Sequence, residues 1–182
     1  MQATETHLKG CFILQPNVIN DGRGYFFESY NQQKFEAATG HNTTFIQDNQ
    51  AYSVYGVLRG LHFQTGKFAQ AKLVRVLQGK VLDVAVDIRQ GSETFGQHVA
   101  VELSDDNKTQ LFVPRGFAHG YIVLSETAVF SYKVDNVYSK ASEGGIIWND
   151  QDLGIDWLLP ASDITLSDKD KILPQLSGVT AF

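Results

Sequence analysis

Lys72-Leu73-Val74-Arg75-Val76-Leu77-Gln78-Gly79-Lys80-Val81-Leu82-Asp83-Val84-Ala85-Val86-Asp87-Ile88 is the stretch that decides the fold. Two runs rich in Val and Leu flank Gln78-Gly79-Lys80, and aliphatic runs broken by a glycine read as strand, turn, strand. A two-residue hairpin loop fits the break. That pairing puts Lys72, Val74 and Val76 on one face with Val81, Asp83 and Ala85, and Leu73, Arg75, Leu77, Leu82, Val84 and Val86 on the other. The second face is almost wholly apolar. The first mixes aliphatics with one Lys and one Asp, a composition suited to the wall of a binding cavity.

Working outward, strands are expected at Gln97–Leu103, Gln110–Val113, His119–Leu124 and Ala128–Val134. Ser104-Asp105-Asp106-Asn107, Pro114-Arg115-Gly116 and Ser125-Glu126 supply the turns between them. Many short strands at near-regular spacing predict a sandwich or barrel. Helix is scarce. Gln32–Thr39 is one candidate, with Asn31 as N-cap and Gly40 as stop, and Ser167–Ile172 is a short turn ended by Pro174. With no repeat, linker or low-complexity tract, residues 1–182 read as one domain.

The 182 residues are 43% hydrophobic, enough to bury a real core. A net charge of -5 gives no general reason to bind nucleic acid, although a local basic pocket for a small anion is allowed. The single cysteine, Cys11, excludes an intrachain disulfide framework and fits a reducing compartment. Met1 to Gly10 carry no long apolar run, so a cytoplasmic protein without a membrane span is expected.

Two segments carry chemistry. Pro114-Arg115-Gly116-Phe117-Ala118-His119 is a tight turn followed by a His at the start of a strand, and it resembles the second half of the cupin signature. The same six residues also read as a plain turn with an incidental His. A metal-binding cupin adds a His-x-His pair on an earlier strand. The corresponding segment here, Arg59-Gly60-Leu61-His62-Phe63-Gln64, has one His, with Gln64 where the second belongs. Two imidazoles and a carboxylate make a facial metal site, whereas one imidazole beside an amide does not. No metal is therefore expected, and His62 is left for proton chemistry. Strand alternation turns Leu61 and Phe63 one way and His62 and Gln64 the other.

A longer ordered set resembles one family. Arg23-Gly24-Tyr25-Phe26-Phe27-Glu28-Ser29-Tyr30, Gln47-Asp48-Asn49, Leu58–Gln64, Pro114–Gly120, Tyr132-Lys133, Tyr138-Ser139, Glu143-Gly144, Trp148-Asn149-Asp150 and Ser167-Asp168-Lys169-Asp170 are similar to the dTDP-4-dehydrorhamnose 3,5-epimerases, cupin-like sugar-nucleotide epimerases. The match runs from about Gly10 to Leu176.

The resemblance implies a mainly β, cupin-like jelly-roll barrel with a few short helices, in a strand-exchanged homodimer. It implies epimerisation of dTDP-4-dehydro-6-deoxy-D-glucose at C3 and C5, feeding dTDP-L-rhamnose into polysaccharide synthesis. No cofactor is implied, since the C4 ketone supplies the acidity, and the chain has neither Gly-x-Gly-x-x-Gly nor a P-loop. The implied roles are His62 as base, Asp170 as its polarising partner, Tyr132 as acid on the opposite face and Lys72 beside the C4 oxygen. Arg59 and His119 are implied as contacts near the sugar or diphosphate. Gln47, Asp48 and Asn49 are implied for thymidine recognition, with Tyr138 stacked on the pyrimidine. Glu143 and Lys169 complete the set, and Arg23 and Glu28 come from the neighbouring subunit.

Taken singly, these residues have ordinary structural readings. His62 could be a strand histidine, Tyr132 a core aromatic beside Phe130, Lys72 a snorkelling surface lysine, Arg23 a turn arginine and Tyr138 a strand-end aromatic. Ser167-x-x-Asp170 could be a helix cap. The alternatives in function are a single-carbon epimerase or ketoisomerase on a related dTDP-sugar, a metal-dependent cupin dioxygenase, and a non-catalytic sugar-nucleotide-binding cupin.

Overall fold

The stretch from Lys72 to Ile88 does not form the expected hairpin. In the computed structural model, which describes residues 1–179, its two halves belong to different sheets. In chain order the strands of the described residues are β1 (Gln2–Glu5), β2 (Phe12–Gln15), β3 (Ile19–Asp21), β4 (Gly24–Phe26), β5 (Gln47–Val54), β6 (Leu58–Gln64), β7 (Lys72–Gln78), β8 (Lys80–Asp87), β9 (His98–Ser104), β10 (Gln110–Val113), β11 (Phe117–Val123), β12 (Thr127–Val134) and β13 (Glu143–Gly145). A six-stranded sheet has the order β1-β2-β10-β7-β12-β5. A five-stranded sheet has the order β13-β6-β11-β8-β9, and β3 and β4 form a separate ribbon. All the pairings between these strands are antiparallel, and an isolated parallel bridge joins Val57 to Thr165.

The physical reason for the missing hairpin lies at Gly79. Its φ is +79°, and a Cβ there would lie 2.1 Å from the Thr127 carbonyl oxygen. Lys80 N–H donates to Ser125 Oγ at 2.8 Å, and Asp105 N–H donates to the Gly79 carbonyl at 3.1 Å. Three connections, β7 to β8, β9 to β10 and β11 to β12, therefore meet at one end of the molecule, and each passes from one sheet to the other. Held by these contacts with the neighbouring connections, the chain turns a corner between sheets at Gly79 instead of folding back on itself. This is jelly-roll topology.

The predicted division of side chains survives the change of partner. Val74 and Val76 from β7 and Val81 and Ala85 from β8 meet in one buried cluster between the sheets. The apolar face is really two faces. Leu82, Val84 and Val86 pack outward beneath the C-terminal segment, against Ile146, Leu153, Trp157 and Leu176. Leu73 packs with Phe12, Leu14, Phe112 and Phe35 of helix α1 (Gln32–Thr39). Phe35 is fully buried, and its loss to Ala would cost about 3–5 kcal/mol. Asn31 caps α1 by accepting from Lys34 N–H at 3.1 Å, and Gly40 ends it at φ +72°. At Ser167–Ile172 the chain makes a turn and a short 3₁₀ helix, Asp170–Ile172.

Candidate active site

A cavity of about 570 Å³ opens between the sheets, lined by Ala51, Val57, Leu58, Arg59, His62, Lys72, His119, Tyr121, Phe130, Tyr132, Thr165, Leu166, Ser167, Lys169 and Asp170. Arg59 and His62 are three residues apart on β6, and regular alternation would send them to opposite faces. The β6–β11 register slips here, from His62↔His119 to Arg59↔Tyr121. A bulge of this kind re-aims a side chain. It needs glycine on both strands, because a Cβ on Gly60 would lie 2.6 Å from Gly120 Cα and one on Gly120 would lie 2.7 Å from the Arg59 carbonyl oxygen. The Arg-Gly-Leu-His order is thus what brings a cation and an imidazole to one wall.

His62 meets Asp170 through Nε2 at 2.6 Å. Burial pushes the Asp170 carboxyl up, but hydrogen bonds from His62 and Ser167 and the nearby positive charges more than offset this and leave it below the usual carboxylate range. An ionised carboxylate only accepts, so Nε2 carries the donated proton and Nδ1 keeps its lone pair. Asp170 arrives from far along the sequence on a strap stitched to the barrel. Leu58 N–H donates to the Thr165 carbonyl and Thr165 N–H to the Gly56 carbonyl, both at 2.9 Å. Ser167 Oγ accepts from Asp170 N–H at 3.2 Å. The capping reading of Ser167-x-x-Asp170 and the functional one are the same geometry.

Lys72 stands on the six-stranded sheet. Burial lowers its pKa to about 8, with Asp83 and Glu143 resisting the shift, and its Nζ lies 3.5 Å from the His62 carbonyl oxygen. His119, paired with His62 across β6 and β11, is sealed. Its Nε2 lies 2.9 and 3.0 Å from the two oxygens of Asp83, which is fully buried. Tyr132 is on β12, on the wall opposite His62. Burial and the neighbouring Tyr121 push its phenol upward against the pull of Arg59, so Tyr132 holds its proton at neutral pH. Tyr121 stacks on Phe130 at 4.0 Å. The Tyr121 hydroxyl is buried beside Ser53 and Arg59, and Arg59 Nε donates to Ser53 Oγ at 3.1 Å. In chemical terms the cavity offers a partnered base on one wall, a protonated phenol on the other and an ammonium between them.

Similarity to known proteins extends over almost the whole chain. The family model for dTDP-4-dehydrorhamnose 3,5-epimerase fits residues 5–178. The chain belongs to the dTDP-4-dehydrorhamnose 3,5-epimerase family. The Salmonella typhimurium enzyme of that name is 55% identical over 177 residues, 97% of this chain and 96% of its own. The crystal structure of the Elizabethkingia anophelis enzyme superposes with a TM-score of 0.95 at 57% identity, covering 100% of this chain and 99% of that one. A Legionella pneumophila dTDP-6-deoxy-D-glucose-3,5-epimerase in complex with dTDP-4-keto-L-rhamnose gives a TM-score of 0.94 at 45% identity, covering 98% and 94%.

Of the positions that the epimerase resemblance selects, His62, Lys72, Tyr132, Asp170, Arg59, His119 and Lys169 line the cavity. Tyr138 and Glu143 stand near its rim. Tyr138 Oη donates to Glu143 Oε2 at 3.1 Å, and Lys169 pairs with Glu143 Oε1. Gln47 and Asn49 share a β5 face with Ala51 of the cavity wall, with Gln47 Nε2 donating to Asn49 Oδ1 at 2.8 Å. Asp48 points to the other face of that sheet and pairs with Lys133 at 2.8 Å. Arg23 and Glu28 are outside the cavity of their own chain, paired with Asp21 and Lys34. Gln64, in the second cupin ligand position, accepts from Ser139 N–H at 2.8 Å. Among the described residues no three His, Cys, Asp or Glu side chains group as a metal site would need.

Two residues, one in the cavity wall and one buried behind it, escape sequence reasoning. Asp83 is visible there only as a charge on the face of Lys72, since its pairing with His119 depends on a long-range strand contact. Tyr121 reads as one more strand aromatic.

Proposed function

We propose that this chain, acting as a single domain, inverts C3 and C5 of dTDP-4-dehydro-6-deoxy-D-glucose to give dTDP-4-dehydro-L-rhamnose. The observation that carries the reading is the placement of the His62–Asp170 pair and the Tyr132 phenol on opposite sheets, facing one cavity. Inversion at a carbon needs a base on one face and an acid on the other.

Both carbons flank the C4 ketone, so each proton becomes removable once the enolate is stabilised. His62 Nδ1 takes the C3 proton, and the electron pair moves onto the C4 oxygen. The Lys72 ammonium offsets that charge, a contribution of ~10²–10³ in rate at comparable oxyanion sites. The enolate collapses by taking a proton from Tyr132 on the far face. His62 has then gained a proton and Tyr132 has lost one, and exchange with solvent restores both before the cycle repeats at C5. Arg59, Lys169 and Glu143 hold the remainder of the nucleotide sugar, with Tyr138, Gln47 and Asn49 at the thymidine. Asp48 serves this segment from behind, through Lys133. The product suits a cytoplasmic route to rhamnose-containing polysaccharide.

The functional unit is a homodimer. The β3–β4 ribbon leaves Ile19, Tyr25 and Phe26 more than half exposed, and the edge strand β5 exposes Tyr52 and Val54. Exposed apolar ribbons and open edges are what strand exchange covers. The same exchange carries Arg23 and Glu28 toward a partner's cavity. Sedimentation showing a fully active monomer at working concentration would refute this.

Proton NMR with dTDP-4-dehydro-6-deoxy-D-glucose in deuterated water tests the reaction. Loss of both the C3 and C5 proton signals is expected. Loss of one alone would point to a single-carbon epimerase, and loss of neither to a binding protein.

A further inference from the structure

Asp83 is fully buried on β8, and its hydrogen-bonded partner is His119 Nε2, which meets both carboxylate oxygens. A sealed carboxylate is costly unless a countercharge and hydrogen bonds compensate it. Lys72 and His119 are the candidates for that countercharge, since both line the same cavity. They differ in their neighbours. Burial lowers the His119 pKa and Lys72 and His62 disfavour a second positive charge on it, and together these outweigh the opposing charge and hydrogen bond of Asp83. Burial lowers Lys72 as well, to about 8, but Asp83 and Glu143 both favour its charge. The compensated arrangement is therefore Lys72 as ammonium, Asp83 as carboxylate and His119 neutral.

We propose that Asp83 is a positioning residue for the epimerisation: it keeps Lys72 charged from behind and holds the Nε2 proton of His119, so that His119 presents Nδ1 as a hydrogen-bond acceptor. The proposal rests on the epimerase reading and narrows it. An imidazole whose N–H is committed to Asp83 has no donor left for a diphosphate oxygen. Its Nδ1 suits a group that brings its own proton, which in a nucleotide sugar is a pyranose hydroxyl. His119 thus belongs to the sugar end of the site. The same carboxylate supports the enolate-stabilising charge on Lys72 against the lowering effect of burial.

Asp83→Asn is the test, because the amide keeps shape and hydrogen bonding but removes the charge. Deuterium wash-in at C3 should fall ~10²-fold or more at pH 8, the range for loss of an oxyanion-stabilising group. The deficit should shrink as pH is lowered toward 6, where Lys72 regains its proton, and the alkaline limb of kcat should move to lower pH. A deficit that is the same at every pH, or no deficit, overturns the role. Should the variant fail to fold, a long-range proton–nitrogen NMR spectrum of the wild-type protein decides the matter without turnover. His119 is expected as the neutral Nε2–H tautomer from pH 6 to 8. An imidazolium or an Nδ1–H tautomer overturns the proposal. Wild-type protein with no wash-in at all would instead defeat the epimerase reading, and the His119 spectrum would still judge Asp83.

Discussion

The barrel holds two histidine–aspartate pairs built from the same atoms. His62 and Asp170 meet through Nε2 at 2.6 Å, and His119 and Asp83 at 2.9 Å. They differ in what surrounds them. The His62 side chain is 29% exposed in the cavity mouth, while that of His119 is 6% exposed. Asp170 rides on a strap, and Asp83 is part of a central strand. A partly open imidazole with a carboxylate behind it can take up and release a proton, because water or substrate can reach its other nitrogen. A nearly buried one, held below its ordinary pKa by burial and by Lys72 and His62, is suited to stay neutral instead. The hydrogen-bond pattern alone does not make a base. Access and the sign of the nearest charge decide.

The largest effect that probes this contrast is His62→Ala. Loss of a positioned general base should lower both wash-in and epimerisation by ~10²–10⁴. His119→Asn should act mainly on KM, and a reversal of these two outcomes in deuterium-exchange kinetics would break the comparison. Tyr132→Phe comes next, since it separates proton removal from proton return. The phenyl ring keeps most of the packing, so the enolate still forms and His62 returns a deuteron to the original face. Wash-in should persist while L-configured product falls much further. Equal loss of both in a folded variant would reassign Tyr132 to binding or to steadying the enolate.

The next effect is in pH. Lys72 has its pKa lowered to about 8, and the proposed reaction uses it as the ammonium. Activity should therefore fall as pH rises through about 8, and a kcat profile flat to pH 10 would contradict the role. The smallest effect is on stability. The carboxyl of Asp170 sits below its ordinary value in the folded chain. Its contribution is present above the unfolded value, near 4, and is lost as pH falls below that. Urea midpoints should drop less steeply between pH 5 and 3 in Asp170→Asn than in the wild type.

What sequence could and could not reveal follows the range of the interactions. Helix α1 was legible to the residue, because Asn31 and Gly40 act locally. So was β10, and β9, β11 and β12 came within two residues at either end. The pleat of Lys72–Ile88 was legible too, since alternation is a local property. Its partners were not, because Gly79 marks a turn equally well in a hairpin and at a corner between sheets. Strands β1, β3, β4 and β5 carry mixed, largely exposed sequences, and β2 and β5 find β10 and β12 only across long stretches of chain. In the site, ordered motifs pointed to His62, Tyr132, Lys72 and Asp170. The bulge that aims Arg59 into the cavity needed the meeting of Gly60 with Gly120, sixty residues away.

The strap that brings Asp170 to His62 has a consequence for how the chain comes into being. Synthesis runs from the N-terminus, and domains tend to form in that order. Every strand among the described residues is finished at Gly145, yet Asp170, the proposed partner of the base, follows well after it. A nascent chain can close its barrel while its histidine still lacks a partner. Competence thus arrives late and as one event, when the Thr165–Asp170 strap docks along β6, and a ribosome-stalled chain ending at Leu159 should collapse into a barrel but turn over nothing.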